Sequence, residues 1–132
     1  MYYITKEFSF DAAHMLGSSL VGEPTKQEEI FGKCCNLHGH RWTLFITIGS
    51  HALENGMVIN FNELKKIINE RIIEDLDHHY LNEVKWLKGV EPTCENLSEI
   101  IFKRLDKEFI GHLFLEEVKI YETPTSYCVY KE

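Results

Sequence analysis

Along this chain apolar residues first alternate with polar ones, then recur every three or four residues, then alternate again. Residues 2–10 are rich in aromatic and β-branched side chains and end at the small pair Ala12-Ala13, which predicts a strand. A second strand is predicted over 42–48, with Trp42, Leu44, Ile46 and Ile48 on one face and Thr43, Phe45 and Thr47 on the other. Between them, residues 15–33 hold Gly17, Ser18, Ser19, Gly22, Pro24 and Gly32 among charges, and read as a long loop of the kind that usually carries function. Asn55-Gly56 marks a turn. A helix is predicted over 61–75, where Asn60 and Glu63 stand at capping-box spacing and Leu64, Ile67, Ile68 and Ile72 form one stripe. A second helix begins after Pro92-Thr93, with Leu97, Ile100, Ile101, Leu105 and Phe109 at helical spacing. Residues 118–122 and 127–130, parted by Pro124, return to strand.

The order strand, strand, helix, helix, strand, strand predicts an α+β domain over 1–132, an antiparallel sheet with both helices on one face. The sheet's other face is partly apolar at Phe45, which favours oligomerisation. A formal net charge of −7 argues against general nucleic-acid binding, which needs a basic surface. An anionic small substrate stays compatible, because a few cations in a cleft outweigh distant surface charge. No apolar run approaches the roughly 18 residues of a membrane span, and residues 1–7 lack the features of a signal peptide. Cys34, Cys35, Cys94 and Cys128 are therefore expected as thiols in a reducing cytoplasm.

The segment 34–40, Cys-Cys-Asn-Leu-His-Gly-His, carries the clearest chemistry. His38 and His40, two apart on an extended segment, point to the same face, and Gly39 between them adds no side chain to crowd it. A third histidine from a neighbouring strand would leave one coordination position open, as in catalytic zinc sites; His14 upstream is the candidate. Cys34 and Cys35 each fit a thiolate with lowered pKa near that metal, or a small buried hydrophobe. The spacing does not choose between them. Asp77 beside His78 fits a proton shuttle, and equally a helix C-terminus where histidines meet exposed carbonyls. Glu122 on a late strand could accept two parallel hydrogen bonds from an amidine-like heterocycle edge, or be an exposed strand glutamate. His51 and His112 have no partners in the sequence.

Taken together, 8–14 (Phe-Ser-Phe-Asp-Ala-Ala-His), 34–40, 76–82 (Leu-Asp-His-His-Tyr-Leu-Asn), 92–96 (Pro-Thr-Cys-Glu-Asn) and Glu122-Thr123 resemble the 6-pyruvoyl-tetrahydropterin synthase family. The three residues between Cys34 and His38 resemble its bacterial 6-carboxy-tetrahydropterin synthase branch, of the queuosine pathway. The resemblance implies the tunnelling fold, ββααββ subunits whose sheets join into a barrel, with active sites between subunits of a hexamer built from two trimers. It implies zinc on His14, His38 and His40, Cys34 rather than Cys35 as catalytic thiol, Asp77 and His78 as proton relay, Glu122 as catalytic pterin anchor and Thr93 near the pterin. The implied activity is that of a lyase converting 7,8-dihydroneopterin triphosphate to 6-carboxy-5,6,7,8-tetrahydropterin with release of acetaldehyde and triphosphate. The alternatives are the 6-pyruvoyl product and a non-catalytic zinc-binding oligomer in which Cys34 closes the metal site. Asn60, Cys94 and Cys35 depart from the family's usual residues.

Overall fold

The first strand runs on beyond its predicted end, through Asp11, Ala12 and Ala13 to His14. In the computed structural model, which describes residues 1–20 and 22–132, strand β1 spans Tyr2–His14 and β2 spans His38–Ser50. They pair antiparallel without interruption from Tyr2 opposite Ser50 to His14 opposite His38. β2 also pairs with β4, Leu113–Thr123, which in turn pairs with β5, Ser126–Tyr130, both antiparallel. The sheet is not purely antiparallel as expected: a two-residue strand β3, His79–Tyr80, runs parallel to β1 at Ala12 and Ala13. The cause is local, because the His78 N–H donates to the Asp11 carbonyl at 2.7 Å and holds the chain alongside that edge. The strand order is β3-β1-β2-β4-β5.

The segment read as a loop is a second departure. It contains helix α1, Pro24–Phe31, flanked by 3-10 turns at Ser18–Leu20 and Gly32–Cys35; Val21 lies outside the described residues. Pro24 sits in the first turn, where a missing N–H costs nothing. The helix buries none of its residues, so no apolar stripe betrays it.

The two predicted helices cover one face of the sheet. Helix α2, Phe61–Ile68, starts where the Asn60 side chain accepts from the Asn62 N–H at 2.8 Å. It continues through a π turn at Asn69–Ile73 into a last turn α3, Glu74–Leu76. Leu64, Ile68, Ile72 and Leu76 are all fully buried. Each step of four overshoots one α-helical turn by about 40°, and the wider π turn corrects that drift, so the stripe stays on the sheet and delivers Asp77 to its edge. Helix α4, Cys94–Leu105, is capped by Thr93, whose hydroxyl accepts from the Asn96 N–H at 3.2 Å. Its Leu97, Ile101 and Leu105 join Trp42, Leu44, Ile46 and Ile48 in one core.

The faces of β2 follow the alternation. On the side away from the helices, Phe45 meets the Tyr121 ring at 5.8 Å, and Lys119 Nζ stands 4.4 Å from the Tyr127 ring centre. No helix among the described residues is long and apolar enough to cross a membrane.

Candidate active site

Register builds the centre of the site. Because His14 faces His38 and Ala12 faces His40 across β1 and β2, all three histidines lie on the helix side at the end of the ladder. Their ring centres are 4.6, 4.8 and 5.1 Å apart. Trp42 packs edge-on against His14 and His40 and donates its indole N–H to the Ala12 carbonyl at 3.2 Å. Gly39 does not clear this face. Its missing side chain would point to the other face, where a Cβ would make only ordinary contact with the Ala12 oxygen at 3.8 Å.

The tautomers follow from the backbone. His14 Nδ1 lies 2.9 Å from the Pro92 carbonyl and His38 Nδ1 lies 2.6 Å from the Asn36 carbonyl. A carbonyl only accepts, so each Nδ1 carries a proton, and in the neutral ring each Nε2 then presents a lone pair. Those two Nε2 atoms are 3.0 Å apart. His40 Nε2 is buried with no hydrogen-bond partner among the described residues. Burial lowers the pKa of His14, which the Pro92 carbonyl partly opposes; burial also lowers that of His40, against the pull of Glu122. Neutral imidazoles crowded lone pair to lone pair repel one another, and a cation at their centre removes that repulsion. The residues fit a metal.

Glu122 completes the group. Its Oε1 is 3.3 Å from His14 Nε2 and 3.5 Å from His40 Nε2, and the four side chains can hold one ion. The β4–β5 pairing slips between Tyr121 and Thr123, which leaves Glu122 without a partner on β5. Such irregularities re-aim side chains beside active sites.

Cys34 lies in the 3-10 turn before β2, tied down where its carbonyl accepts from the Leu16 N–H at 2.8 Å. It lines a cavity of about 190 Å³ with Thr93, Cys94, Glu95 and Glu122, and Cys35 does not. Thr93 thus reaches the cavity, although its hydroxyl serves as the helix cap. Cys94 donates its thiol to the Ile120 carbonyl at 3.0 Å, and burial pushes its pKa up to about 12. It stays a protonated wall beside Cys34.

Asp77 and His78 form a separate unit. His78 Nδ1 is 3.0 Å from Asp77 Oδ2, while Asp77 Oδ1 accepts from the Asp11 N–H at 2.9 Å. That N–H chiefly holds the Asp77 carboxyl below the usual range; slight burial opposes it, and His78 adds to it. His78 adopts a left-handed backbone, φ 60°. His78 borders a cavity of about 570 Å³ with Asp11, Gly39, His40, Arg41 and Tyr80, but neither Asp77 nor Cys34 lines it.

Two further residues place the site without a signature in the sequence. Asn82 clasps the residue after His14, its Oδ1 accepting from the Met15 N–H at 3.0 Å and its Nδ2 donating to the Met15 carbonyl at 2.8 Å. Glu91 accepts the Gly17 N–H at 2.7 Å and so anchors the turn that offers the Pro92 carbonyl to His14. Asn82 falls in the motif segment 76–82 and Glu91 just before 92–96, and their partners lie far away in the chain.

Known proteins place this arrangement in context. Residues 3–132 match the family model described as 6-pyruvoyl tetrahydropterin synthase. The 6-pyruvoyl tetrahydrobiopterin synthase of Dictyostelium discoideum is 38% identical over 97% of this chain and 94% of its own length. The 6-carboxy-5,6,7,8-tetrahydropterin synthase of a Synechocystis strain is 36% identical over 98% of this chain and 93% of its own. The solved 6-pyruvoyl tetrahydropterin synthase of Caenorhabditis elegans superposes with a TM-score of 0.88 at 30% identity, covering 99% of this chain and 95% of that one. The near-complete match of sequence and fold, with relatives of both product types, shows that the chain belongs to the 6-pyruvoyl tetrahydropterin synthase family.

Proposed function

We propose that this chain is a zinc-dependent lyase that converts 7,8-dihydroneopterin triphosphate and one water into 6-carboxy-5,6,7,8-tetrahydropterin, acetaldehyde and triphosphate, a step toward queuosine. The convergence of His14, His38 and His40 beside a cavity that holds Cys34 and Glu122 carries this reading. Two ligands about 2.0–2.1 Å from a tetrahedral zinc stand about 3.3 Å apart. The 3.0 Å between His14 Nε2 and His38 Nε2 is close to that edge. When bound, zinc supplies Lewis-acid polarisation of the substrate's side-chain oxygens.

The remaining chemistry falls to the chain's own groups. Cys34 as thiolate removes and returns protons at the side-chain carbons. His78, its Nδ1 engaged by Asp77, is left with Nε2 free to pass the second proton, and elimination releases triphosphate. Glu122 accepts the paired N–H donors of the pterin edge, and the Thr93 turn borders the ring. The separation of Cys34 from His78 into cavities with no shared lining residue supports a site completed by a second copy, in a barrel-forming oligomer such as a dimer of trimers. The apolar face carrying Phe45 and Tyr121 suits the inside of that barrel. The four free thiols suit a cytoplasmic location.

The short spacing of Cys34 and His38 supports the 6-carboxy product. The Dictyostelium relative keeps the 6-pyruvoyl product as the second reading. A thiol-closed structural zinc site fits less well, because Cys34 is not among the donors grouped with the imidazoles. Incubation of the zinc-loaded protein with 7,8-dihydroneopterin triphosphate, followed by mass analysis, tests the reading. Acetaldehyde with a 6-carboxy pterin is expected; a 6-pyruvoyl pterin would move the chain to the other branch, and an unchanged substrate would remove the activity.

A further inference from the structure

Three cavities touch the proposed catalytic groups. Besides the two already described, one of about 520 Å³ is bounded by Glu7, His40, Arg41, Phe45 and Glu122 among others. Among the described residues lining these three, Arg41 is the one lysine or arginine, in a chain of net charge −7. It lines two of them, and it follows His40 directly in β2. Its side chain is 70% exposed and, among the described residues, is held by long contacts alone, 3.4 Å to Asp11 Oδ2 and 3.3 Å to Ser9 Oγ. Most of its five N–H donors are therefore available.

We infer that Arg41 binds the triphosphate of the substrate, in the 570 Å³ cavity it shares with His78 and His79. The inference rests on the pterin triphosphate reading above and assigns that substrate's anionic end to a residue. A planar guanidinium takes phosphate oxygens in pairs, which a single exposed carboxylate at 3.4 Å competes with poorly. Asp11 gives up Arg41 at little expense, since both side chains are already in water. The adjacent carboxylate, Asp77, keeps its own partner in His78. The same chain thus brings His78 and the phosphate-binding cation to one cavity. Arg41 projects from the face opposite His40, so the metal group does not depend on it.

The test compares the zinc-loaded parent with Arg41→Ala, Arg41→Lys and, as a control cation beside Cys34, Lys33→Ala. Inorganic tripolyphosphate binding is measured by calorimetry, with zinc content assayed before and after, and steady-state kinetics are run on 7,8-dihydroneopterin triphosphate. Arg41→Ala should weaken tripolyphosphate by roughly ten-fold or more and raise KM with kcat little changed. Arg41→Lys should fall between, and Lys33→Ala should match the parent. Equal tripolyphosphate affinity in parent and Arg41→Ala would overturn the assignment, as would a loss in Lys33→Ala alone. Tripolyphosphate binding needs no turnover, which separates the two readings. A parent that binds it through Arg41 yet leaves the pterin substrate unchanged sinks the activity and not the anion site; normal turnover with an unchanged KM in Arg41→Ala sinks only the anion site.

Discussion

Cys34 and His78, the two proposed proton carriers, border different cavities of one chain with no lining residue in common. The proposed function has them act on one substrate from two copies. Co-expression of Cys34→Ala and His78→Ala chains should then restore activity that neither homo-oligomer has. Random assembly leaves about a quarter of sites with both groups intact, the symmetry of a heterologous interface permitting. Mixed oligomers as inactive as the separate variants would place both groups in one chain.

The metal prediction follows from the lone-pair geometry. Purified protein should carry about one zinc per chain on nitrogen donors, and His14→Ala, His38→Ala and His40→Ala should each lose most of it by elemental analysis. Chelation should lower Tm, because a ligand bound only by the folded state stabilises it. Full retention of zinc in all three variants would remove this site.

The thiols divide by their surroundings. Cys34→Ala should keep zinc and bind pterin yet lose most turnover, while Cys35→Ala, outside the cavity, should stay active within a few-fold. Activities in the reverse order would make Cys35 the proton carrier.

Glu122→Gln puts an amide donor where a pterin N–H must be accepted. An opposed buried polar group costs about 1–3 kcal/mol, so pterin affinity should fall roughly ten- to a hundred-fold in equilibrium binding. Three imidazoles remain, and zinc content should not change. Loss of zinc with pterin affinity intact would make the carboxylate a metal ligand instead.

Asp77 sets an acid limit. Its folded-state pKa lies below its unfolded value, chiefly through the Asp11 N–H. Its contribution to stability is therefore present above the unfolded carboxylate value, about 3.9, and is lost as pH falls through the folded one. Asp77→Asn should unfold at lower denaturant than the parent at neutral pH, and the two should converge in acid. A gap that persists at pH 2 would assign the effect to packing.

Much of the architecture is legible in the sequence because burial follows period. The faces of β2 and the stripes of α2 and α4 are marked by side chains with no polar alternative. The remainder is set by contacts between distant residues. β1 runs on through Asp11, Ala12, Ala13 and His14 because β2 pairs with it there, and no β-branched or aromatic residue announces that extension. α1 is hidden because it buries nothing. His14 joins His38 only through strand register, whereas Glu122 follows buried Val118 and Ile120 at period two onto the same face. Cys34 and Cys35 are neighbours in sequence, and only the turn that carries them tells them apart.

The left-handed backbone at His78 sets stability against activity at a single position. A side chain there carries about 1 kcal/mol or more of strain that glycine would not, and the bond from its N–H to Asp11 holds it in place. A screen of variants for heat resistance alone would accept His78→Gly, and would recover a sturdier protein without its proposed relay. Engineering of this scaffold for durability should therefore score turnover alongside melting at this residue.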